Sequence, residues 1–410
     1  MIVIWALSAL LHGYVGLRLV PALAAWPVAA TLLVALLMAS ALALPLGARA
    51  MRRRGGRAVT TTYWAGMLCL GLFSSLFVLT VLRDVGLLLA RAFDAVWPAV
   101  VGLDGLSLGT ALAVPLLGAA VTAWGFVNAR RTARVVRIDV PVTGLPAALH
   151  GYTIAQLSDV HVGRTIRRPY VEAIVDTVNR LEPDLVAVTG DLVDGSVADL
   201  AVHVSPLSRL SSAHGTYFVT GNHEYYSGAH AWIVELRRRG ITVLMNEHVV
   251  LGRGEARLVL AGVTDHSAHH FDAAHRSDPR AALAGAPAGA LRILLAHQPR
   301  SAAAAADAGF DLQLSGHTHG GQFLPWNFFV SLQQPYTAGL HQLRGLWIYV
   351  SRGTGYWGPP KRFGAPSEIT LLRLVPALDL RCRVRPHPFV RQRRPRDVAG
   401  IALRSEQVLP

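Results

Sequence analysis

The sequence has little cysteine, little lysine and little acid. Of its 410 residues only two are cysteines, Cys69 in an apolar run and Cys382 near the end, so no disulfide framework is expected. Lys361 is the only lysine, and arginine supplies almost all of a formal net charge of +14. The arginines gather near apolar segments and at the C-terminal end, without the interleaved aromatic residues that bind a nucleic-acid strand. The charge therefore favours an anionic membrane surface over nucleic acid as the neighbour.

The apolar residues are concentrated in roughly the first third of the chain. Four runs of about 20 residues, the length that crosses ~30 Å of hydrocarbon, cover 2–20, 26–48, 63–82 and 108–127. No basic segment precedes the first run and further runs follow it, so we predict a membrane span rather than a signal peptide. His12 lies in this first run, either as a functional group or as a histidine hydrogen-bonded inside a helix bundle.

The placement of arginine predicts the orientation of these spans. The loop between the second and third runs and the segment after the fourth carry Arg52, Arg53, Arg54, Arg57, Arg130, Arg131, Arg134 and Arg137. The opposite side has Arg18, Arg83 and Arg91, beside Asp84, Asp94 and Asp104. The positive-inside rule then places both the N-terminus and the C-terminal domain in the cytoplasm. An additional span over 85–101 would reverse the side of that domain.

From about residue 135 short strands alternate with amphipathic helices, a pattern typical of an α/β domain. Strands are expected at 151–157, 185–189, 216–220, 242–244, 258–261, 291–296, 311–314, 347–350 and 368–374, and helices at 170–181 and 232–239. We therefore predict a transmembrane helical domain (1–130), a globular domain (131–375) and an arginine- and proline-rich tail (376–410). The tail composition is unsuited to a packed core, and the tail either contacts anionic lipid or is simply solvated.

Five of the predicted strands are followed by polar residues, often beside glycine. The blocks are Asp159-Val160-His161, Gly190-Asp191-Leu192-Val193-Asp194, Gly221-Asn222-His223-Glu224, His297, and Gly316-His317-Thr318-His319. Functional groups gather at the carboxyl ends of strands in α/β folds. We therefore expect the five blocks to meet at one place.

The side chains in these blocks are typical metal ligands. Seven are candidates: Asp159, His161, Asp191, Asn222, His297, His317 and His319. Oxygen and imidazole donors suit manganese, iron or zinc. Seven are too many for one ion, but they suffice for two ions that share a carboxylate. Alone, Asp191 could be a helix N-cap and His297 a core histidine, but five independent accidents in one chain are improbable.

Residues 135–374 resemble the calcineurin-like metallophosphoesterases, which carry these five blocks in this order. The resemblance implies a β-sandwich flanked by helices and two divalent metal ions (manganese, iron or zinc). It implies that one ion is held by Asp159, His161, Asp191 and His319, and the other by Asn222, His297 and His317, with Asp191 bridging.

The same resemblance assigns roles to the neighbouring residues. His223 would contact the phosphate and either protonate the leaving oxygen or stabilise charge in the transition state. Asp194 and Glu224 would orient the ligands. Arg164, three residues after His161, binds a phosphate oxygen or lies at the surface. A further histidine-rich segment either lines the substrate entrance or is a solvated loop: His266, His269, His270 and His275.

A narrower resemblance is to the membrane-associated YkuE-like branch of this superfamily. It rests on GHTHGGQ at 316–322, Ser351-Arg352-Gly353 and Pro366-Ser367-Glu368-Ile369. Relatives of that branch include enzymes that cleave the pyrophosphate of UDP-2,3-diacylglucosamine. The resemblance implies a hydrolase for phosphomonoester, phosphodiester or pyrophosphate bonds. The predicted spans place the protein in the inner or plasma membrane and suggest a substrate held at the membrane surface, such as a lipid-linked one. A protein phosphatase and a non-catalytic membrane sensor remain the alternatives, and a transporter is a weaker one.

Overall fold

A computed structural model describes residues 1–51, 53 and 55–377 of the chain. The predictions made for Arg52, for Arg54 and for the tail beyond residue 377 lie outside these residues. The described part consists of a bundle of four long helices followed by a β-sandwich with flanking helices.

The four helices of the bundle are α1 (Ile2–Leu19), α2 (Pro27–Met51), α3 (Arg57–Val96) and α4 (Leu103–Arg130). Each is long and apolar enough to cross a membrane. The 40 residues of α3 correspond to ~60 Å of helix, twice the length expected from the apolar run at 63–82. Most of the segment considered as an additional span, 85–101, is the continuation of α3.

The bundle packs through small residues and buried apolar side chains. A β-carbon on Gly47 of α2 would lie 2.7 Å from the Cα atom of Gly66 on α3, so both positions need glycine for the helices to approach this closely. His12 is buried in the bundle, where its Nε2 atom lies 2.9 Å from Oγ of Ser40 and its Nδ1 atom 2.7 Å from the carbonyl oxygen of Ser8. His12 is thus hydrogen-bonded between α1 and α2.

The β-sandwich consists of two six-stranded sheets, in the orders β1-β12-β2-β3-β4-β5 and β10-β11-β9-β8-β7-β6. The strands are β1 (Arg134–Val142), β2 (Thr153–Leu157), β3 (Leu185–Val188), β4 (Thr216–Phe218), β5 (Thr242–Val243), β6 (Glu247–Arg253), β7 (Ala256–Gly262), β8 (Leu291–Leu295), β9 (Leu312–Ser315), β10 (Gly339–Leu343), β11 (Leu346–Val350) and β12 (Glu368–Pro376). Strands β2 to β5 are parallel to one another, as are β7, β8, β9 and β11. The predicted α/β class is confirmed.

One apolar core lies between the sheets and contains Ile154 and Leu185 from the first, with Leu260 and Ile293 from the second. The flanking helices are α5 (Arg168–Asn179), α6 (Val197–Val204), α7 (Asn222–Ser227), α8 (Ala229–Arg238), α9 (Ala302–Ala308) and α10 (Asn327–Val330). Helices α5, α6 and α8 pack on the outer face of the first sheet, and α9 packs on that of the second. The bundle ends at Arg130 and β1 begins at Arg134; the division of the chain at 130 and 375 stays a prediction.

Three strands, β1, β6 and β10, were not expected from the sequence. Each lies at the edge of its sheet, and in each the side chains are at most partly buried over much of the length. Polar residues and Pro141 are tolerated there because an edge strand is solvated on one side. The apolar alternation that reveals a strand is therefore weak in these segments.

The β-sandwich is attached to the side of the bundle through the segment 355–363. Lys361, which is buried, donates from Nζ to the carbonyl oxygen of Gly71 (2.8 Å) and to Ser75 on α3. The backbone N–H of Arg362 donates to the carbonyl oxygen of Gly125 on α4 (2.8 Å). The candidate site therefore lies next to the membrane helices.

Candidate metal centre

All seven predicted ligands converge at one end of the β-sandwich. They follow the carboxyl ends of β2, β3 and β4 in the first sheet and of β8 and β9 in the second. Parallel strands deliver their following loops to the same edge of a sheet, and the two sheets bring those edges together. The expected convergence of the five blocks is what the structure shows.

The donors form two groups. In the first, donor atoms of Asp159, His161 and His319 lie within 4.8 Å of one another, with 2.9 Å between the Nε2 atoms of His161 and His319. In the second group, donor atoms of Asp191, His297 and His317 also lie within 4.8 Å of one another, with 3.2 Å between Nδ1 of His317 and Nε2 of His297.

Asp191 lies between the two groups. Its Oδ2 atom is 3.1 Å from Nε2 of His297 in the second group and 3.9 Å from Nε2 of His161 in the first. Its Oδ1 atom accepts the backbone N–H of His223 at 2.9 Å. One carboxylate therefore faces both groups, the arrangement that a bridging ligand requires.

The backbone at these ligands is unusual. Ten non-glycine residues in the described part of the chain have positive φ, and five of them are candidate ligands, namely Asp159, His161, Asp191, His317 and His319, with φ between 50° and 69°. Such left-handed conformations are costly for residues with a β-carbon and occur mainly at functional sites. The turns aim the side chains inward at the cost of local strain.

Three glycines allow this packing. Gly190 has φ of +85° and makes the turn before Asp191. Gly221 has an extended backbone with φ of −100°. It is required for close approach, because a β-carbon there would lie 2.2 Å from Oδ1 of Asp191. At Gly316 a β-carbon would lie 2.1 Å from Oδ2 of Asp159.

The residues beside the ligands hold them in place. Oδ1 of Asp194 lies 3.0 Å from Nδ1 of His161 and 2.6 Å from Nδ1 of His223, so one carboxylate holds both rings. The carboxylate of Glu224 accepts the backbone N–H groups of Asp191 (2.9 Å), Leu192 (2.8 Å), Val193 (3.3 Å) and Gly221 (2.7 Å). Glu224 thus fixes the two loops that carry Asp191 and Asn222.

The charges near His223 favour its protonated form. Burial lowers the pKa of this imidazole, but Asp191 and Asp194 outweigh that effect and raise the pKa of His223 to about 9. The reciprocal effect acts on Asp194: burial raises its pKa, and the imidazoles of His161 and His223 more than offset this and hold the pKa below its ordinary value. The two carboxylates thus favour the protonated, hydrogen-bond-donating form of His223.

Three observations show that these residues fit divalent metal ions. Oδ1 of Asn222 is buried and has no hydrogen-bond partner among the described residues, although an unsatisfied buried oxygen costs about 1–3 kcal/mol. His297 donates from Nδ1 to the carbonyl oxygen of Thr189 (2.8 Å), and His161 donates from Nδ1 to Asp194. Each ring therefore presents Nε2 to its group, as ligating histidines do.

His319 differs from the other ligand candidates in its hydrogen bonding. Nη2 of the buried Arg362 lies 2.9 Å from Nδ1 of His319. A guanidinium can only donate, so Nδ1 accepts and the neutral ring carries its proton on Nε2. Coordination through Nε2 therefore requires this contact with Arg362 to change.

Other residues singled out in the sequence lie elsewhere. Arg164 is partly buried and donates to the carbonyl oxygen of Arg53 in the α2–α3 loop. His275 faces Asp272 and His230 rather than the predicted ligands. The rings of His269 and His270 contact each other in a short 3-10 helix, with centroids 4.0 Å apart and planes tilted by 39°.

The cavity above the two groups was not anticipated from the sequence. It has a volume of about 680 Å³ and reaches from His161, Asp191 and His317 to the membrane helices, where Phe73 and Phe77 of α3 line it. Its opposite wall includes Phe323, Trp326 and Trp357 of the β-sandwich. The run WNFFV at 326–330, apolar and aromatic within an otherwise soluble domain, was the signal available in the sequence.

Comparison with known proteins identifies the family. Residues 152–321 match the family model described as calcineurin-like phosphoesterase. A zebrafish (Danio rerio) protein named transmembrane protein with metallophosphoesterase domain is 36% identical over 333 residues, covering 78% of this chain and 75% of its own length. The chain belongs to the calcineurin-like metallophosphoesterases.

Two further relatives are also named for a metallophosphoesterase, and one of them is named a transmembrane protein. The Bos taurus protein of the same name is 40% identical over 284 residues, covering 66% of this chain and 64% of its own length. The uncharacterized metallophosphoesterase YkuE of Bacillus subtilis is 32% identical over 242 residues, covering 56% and 81%. This metallophosphoesterase is therefore a membrane protein and a hydrolase of phosphoric ester bonds that uses divalent metal ions.

Proposed function

We propose that this metallophosphoesterase holds two divalent ions and hydrolyses a phosphomonoester, phosphodiester or pyrophosphate bond in an amphiphilic, lipid-linked substrate. The observation that supports this is the single cavity of about 680 Å³ that joins the two donor groups to the membrane helices. The donor groups would bind the phosphate, and the apolar residues of α3 would contact a hydrocarbon chain.

The proposed assignment of the donors to two ions follows the family resemblance. Asp159, His161, Asp191 and His319 would hold one ion, and Asp191, Asn222, His297 and His317 the other. When bound, two such ions polarise the phosphoryl oxygens and make water acidic enough to supply a nucleophile at neutral pH. Manganese, iron and zinc all suit this set of nitrogen and oxygen donors.

His223 is the proposed proton donor. Asp194 holds its Nδ1 atom at 2.6 Å, and the residue lines the cavity, so its Nε2 atom is available to a substrate. With the pKa of His223 raised to about 9, the ring is protonated at neutral pH. It would donate a proton to the leaving oxygen or stabilise the charge that develops on it. Arg164, turned toward Arg53, is assigned no contact with the phosphate.

The apolar wall of the cavity supports the amphiphilic substrate. Leu70, Phe73 and Phe77 project from α3, and Trp326 and Trp357 face them from the β-sandwich. Next to the entrance, Phe328, Phe329 and Leu332 are exposed on and after the short helix α10. An exposed apolar patch beside membrane helices is expected to enter the lipid interface, where it would admit a substrate from the bilayer.

We also propose that the β-sandwich faces the cytoplasm. The helices alternate in direction, so the N-terminus and the β-sandwich lie on the same side of a four-span bundle. Arg49, Arg53, Arg57, Arg130 and Arg131 lie at that end, as the positive-inside rule favours for a cytoplasmic face. A C-terminal green fluorescent protein fusion should fluoresce and a C-terminal alkaline phosphatase fusion should be inactive; the reverse pair of results would place the site outside.

The two alternative functions, a protein phosphatase and a non-catalytic sensor, make different demands on the site. A protein phosphatase needs an open surface for a folded partner, whereas membrane helix α3 forms one wall of this cavity. A non-catalytic sensor would not need a protonated His223 beside a complete set of ligands. Neither alternative is favoured by a specific feature of the described residues.

Hydrolysis of bis(p-nitrophenyl) phosphate by the detergent-purified protein tests the catalytic part of the proposal. We expect no turnover by the metal-stripped protein, turnover after Mn²⁺ is restored, and two metal ions per site. Asp191→Ala should lose at least about 100-fold in kcat, because it removes the bridging carboxylate. Metal-independent turnover, or a site without bound metal under saturating Mn²⁺, would contradict the proposal.

A further inference from the structure

A second set of metal-ligand side chains lies away from the cavity. Donor atoms of His230, Asp272 and His275 lie within 4.8 Å of one another. Nε2 of His230 is 3.0 Å from Oδ2 of Asp272, and Nε2 of His275 is 3.9 Å from the same oxygen. Two imidazoles from different parts of the chain therefore face one carboxylate oxygen.

The surroundings orient these donors. Oδ1 of Asp272 accepts the backbone N–H of Ala274 at 2.9 Å, which leaves Oδ2 toward the imidazoles. Nδ1 of His275 lies 2.9 Å from the hydroxyl of Tyr225, and Oγ1 of Thr264 donates to the carbonyl oxygen of His275 at 2.7 Å. Fixing Nδ1 of a histidine through a hydrogen bond, with Nε2 left free, is the arrangement found around ligating histidines.

We propose that His230, Asp272 and His275 bind one divalent transition-metal ion, zinc being the best match, at the surface of the β-sandwich. Two imidazoles and one carboxylate are typical zinc ligands, at about 2.0–2.2 Å from the ion. Tetrahedral ligands at that distance lie ~3.3 Å apart, and the measured separations of 3.0 and 3.9 Å lie on either side of this value. Water would complete the coordination on the open side, where 73% of the His230 side chain is exposed.

A simple ion pair explains the cluster less well. A pair between His230 and Asp272 would account for one imidazole, but exposed pairs of this kind contribute little stability. The ion pair does not explain why a second imidazole, that of His275, faces the same oxygen.

The position of the cluster indicates what an ion would do there. His230 is in the first turn of α8, which packs against the first sheet. Asp272 and His275 follow β7 of the second sheet. An ion shared by the three residues would join the two halves of the β-sandwich. Tyr225, which contacts His275, belongs to α7, the helix that begins with Asn222 and His223. The proposed role is therefore structural and lies next to the metal centre.

Zinc counting on the full-length protein in detergent tests the proposal. The protein is stripped, saturated with Zn²⁺ and desalted, and zinc is measured by mass spectrometry beside His230→Ala and Asp272→Asn. We expect each variant to bind one zinc fewer per chain than the wild type. His269→Ala, which removes a histidine of the same loop, serves as the matched control and should bind as much zinc as the wild type.

The thermal midpoint gives an independent readout. Zn²⁺ should raise the Tm of the wild type and of His269→Ala by about 3 °C more than it raises that of His230→Ala. Because His230 is largely exposed, this variant folds without the ion and keeps the measurement interpretable. Asp191→Ala should still bind zinc at the cluster, which separates this site from the metal centre. Equal zinc content in wild type, His230→Ala and Asp272→Asn would overturn the proposal.

Discussion

The indole Nε1 of Trp326 donates a 2.8 Å hydrogen bond to Oγ of Ser74. This bond joins the aromatic segment of the β-sandwich to helix α3, where Ser74 is next to Phe73 and about one turn before Phe77 on the cavity wall. The membrane helices are therefore part of the substrate cavity as well as an anchor. Both residues line the cavity, between the membrane helices and the candidate metal centre. Substitutions on either side of the bond should therefore alter which substrates the protein uses.

We expect kcat/KM to rise with the length of an alkyl chain on the substrate. Each fully buried methylene contributes about 0.8 kcal/mol, roughly a fourfold gain as an upper limit. In alkyl p-nitrophenyl phosphodiesters of two to ten carbons, the wild type should gain about twofold per methylene, and Phe77→Ala and Trp326→Ala should reduce this slope. The measurement is release of p-nitrophenol in mixed micelles.

Two controls separate the substrate preference from catalysis itself. Val234→Ala removes an exposed apolar side chain on α8 and should keep the wild-type slope. All of these variants should hydrolyse bis(p-nitrophenyl) phosphate at rates close to wild type. A chain-independent kcat/KM in the wild type, with that diester still hydrolysed, would refute the amphiphilic substrate and leave the phosphoesterase intact.

Asp194→Asn should move the basic limb of the pH–rate profile to lower pH. Asp194 and Asp191 raise the pKa of His223 to about 9, and an imidazolium that donates a proton loses activity as pH rises through its pKa. The neutral amide removes one of these two charges, so the basic limb of the variant should lie about one pH unit lower than that of the wild type. The measurement is kcat/KM from pH 6 to 10, and Asp176→Asn, at an exposed carboxylate, should not change it.

The convergence of the candidate ligands could be predicted from the sequence for a physical reason. Each candidate ligand comes two to four residues after a buried parallel strand, as Asp191 does after β3 and His297 after β8. Short apolar strands are visible in sequence, and the meeting of their carboxyl ends is a rule of the fold. The convergence of the ligands could therefore be inferred without coordinates.

The walls of the cavity could not be inferred in the same way. Lys361 and Gly71 are 290 residues apart in the sequence, and no local sequence pattern predicts that contact. The length of α3 was underestimated because Arg83 and Asp84 end the apolar run. In the structure Asp84 pairs with Arg18 at 2.7 Å, and Arg83 donates to the carbonyl oxygen of Ser107 at 3.1 Å. These partners on α1 and α4 let the helix continue.

Lys361→Met should make stability less dependent on pH. Burial lowers the pKa of Lys361 to about 8 in the folded protein, against ~10.4 in an unfolded chain. The folded state therefore disfavours the charged form of Lys361, and this destabilises the folded protein. The loss of stability is complete below pH 8 and disappears as pH rises toward 10.4. We expect the wild-type Tm to rise relative to Lys361→Met between pH 8 and 10, measured in detergent. Parallel Tm curves for the two proteins would contradict this.

Gly221→Ala should disable the metal centre without unfolding the β-sandwich. A β-carbon at this position would lie 2.2 Å from Oδ1 and 2.6 Å from the backbone nitrogen of Asp191, and the extended backbone of Gly221 is open to any residue. The clash therefore acts on the bridging carboxylate, and a displacement of about 1 Å costs on the order of 100-fold in rate. We expect that loss in kcat together with reduced bound Mn²⁺. Gly252→Ala, where a β-carbon meets nothing within 4 Å, should retain both. Full activity in Gly221→Ala would mean that Asp191 does not need its observed position, which would remove the structural basis for a bridging ligand.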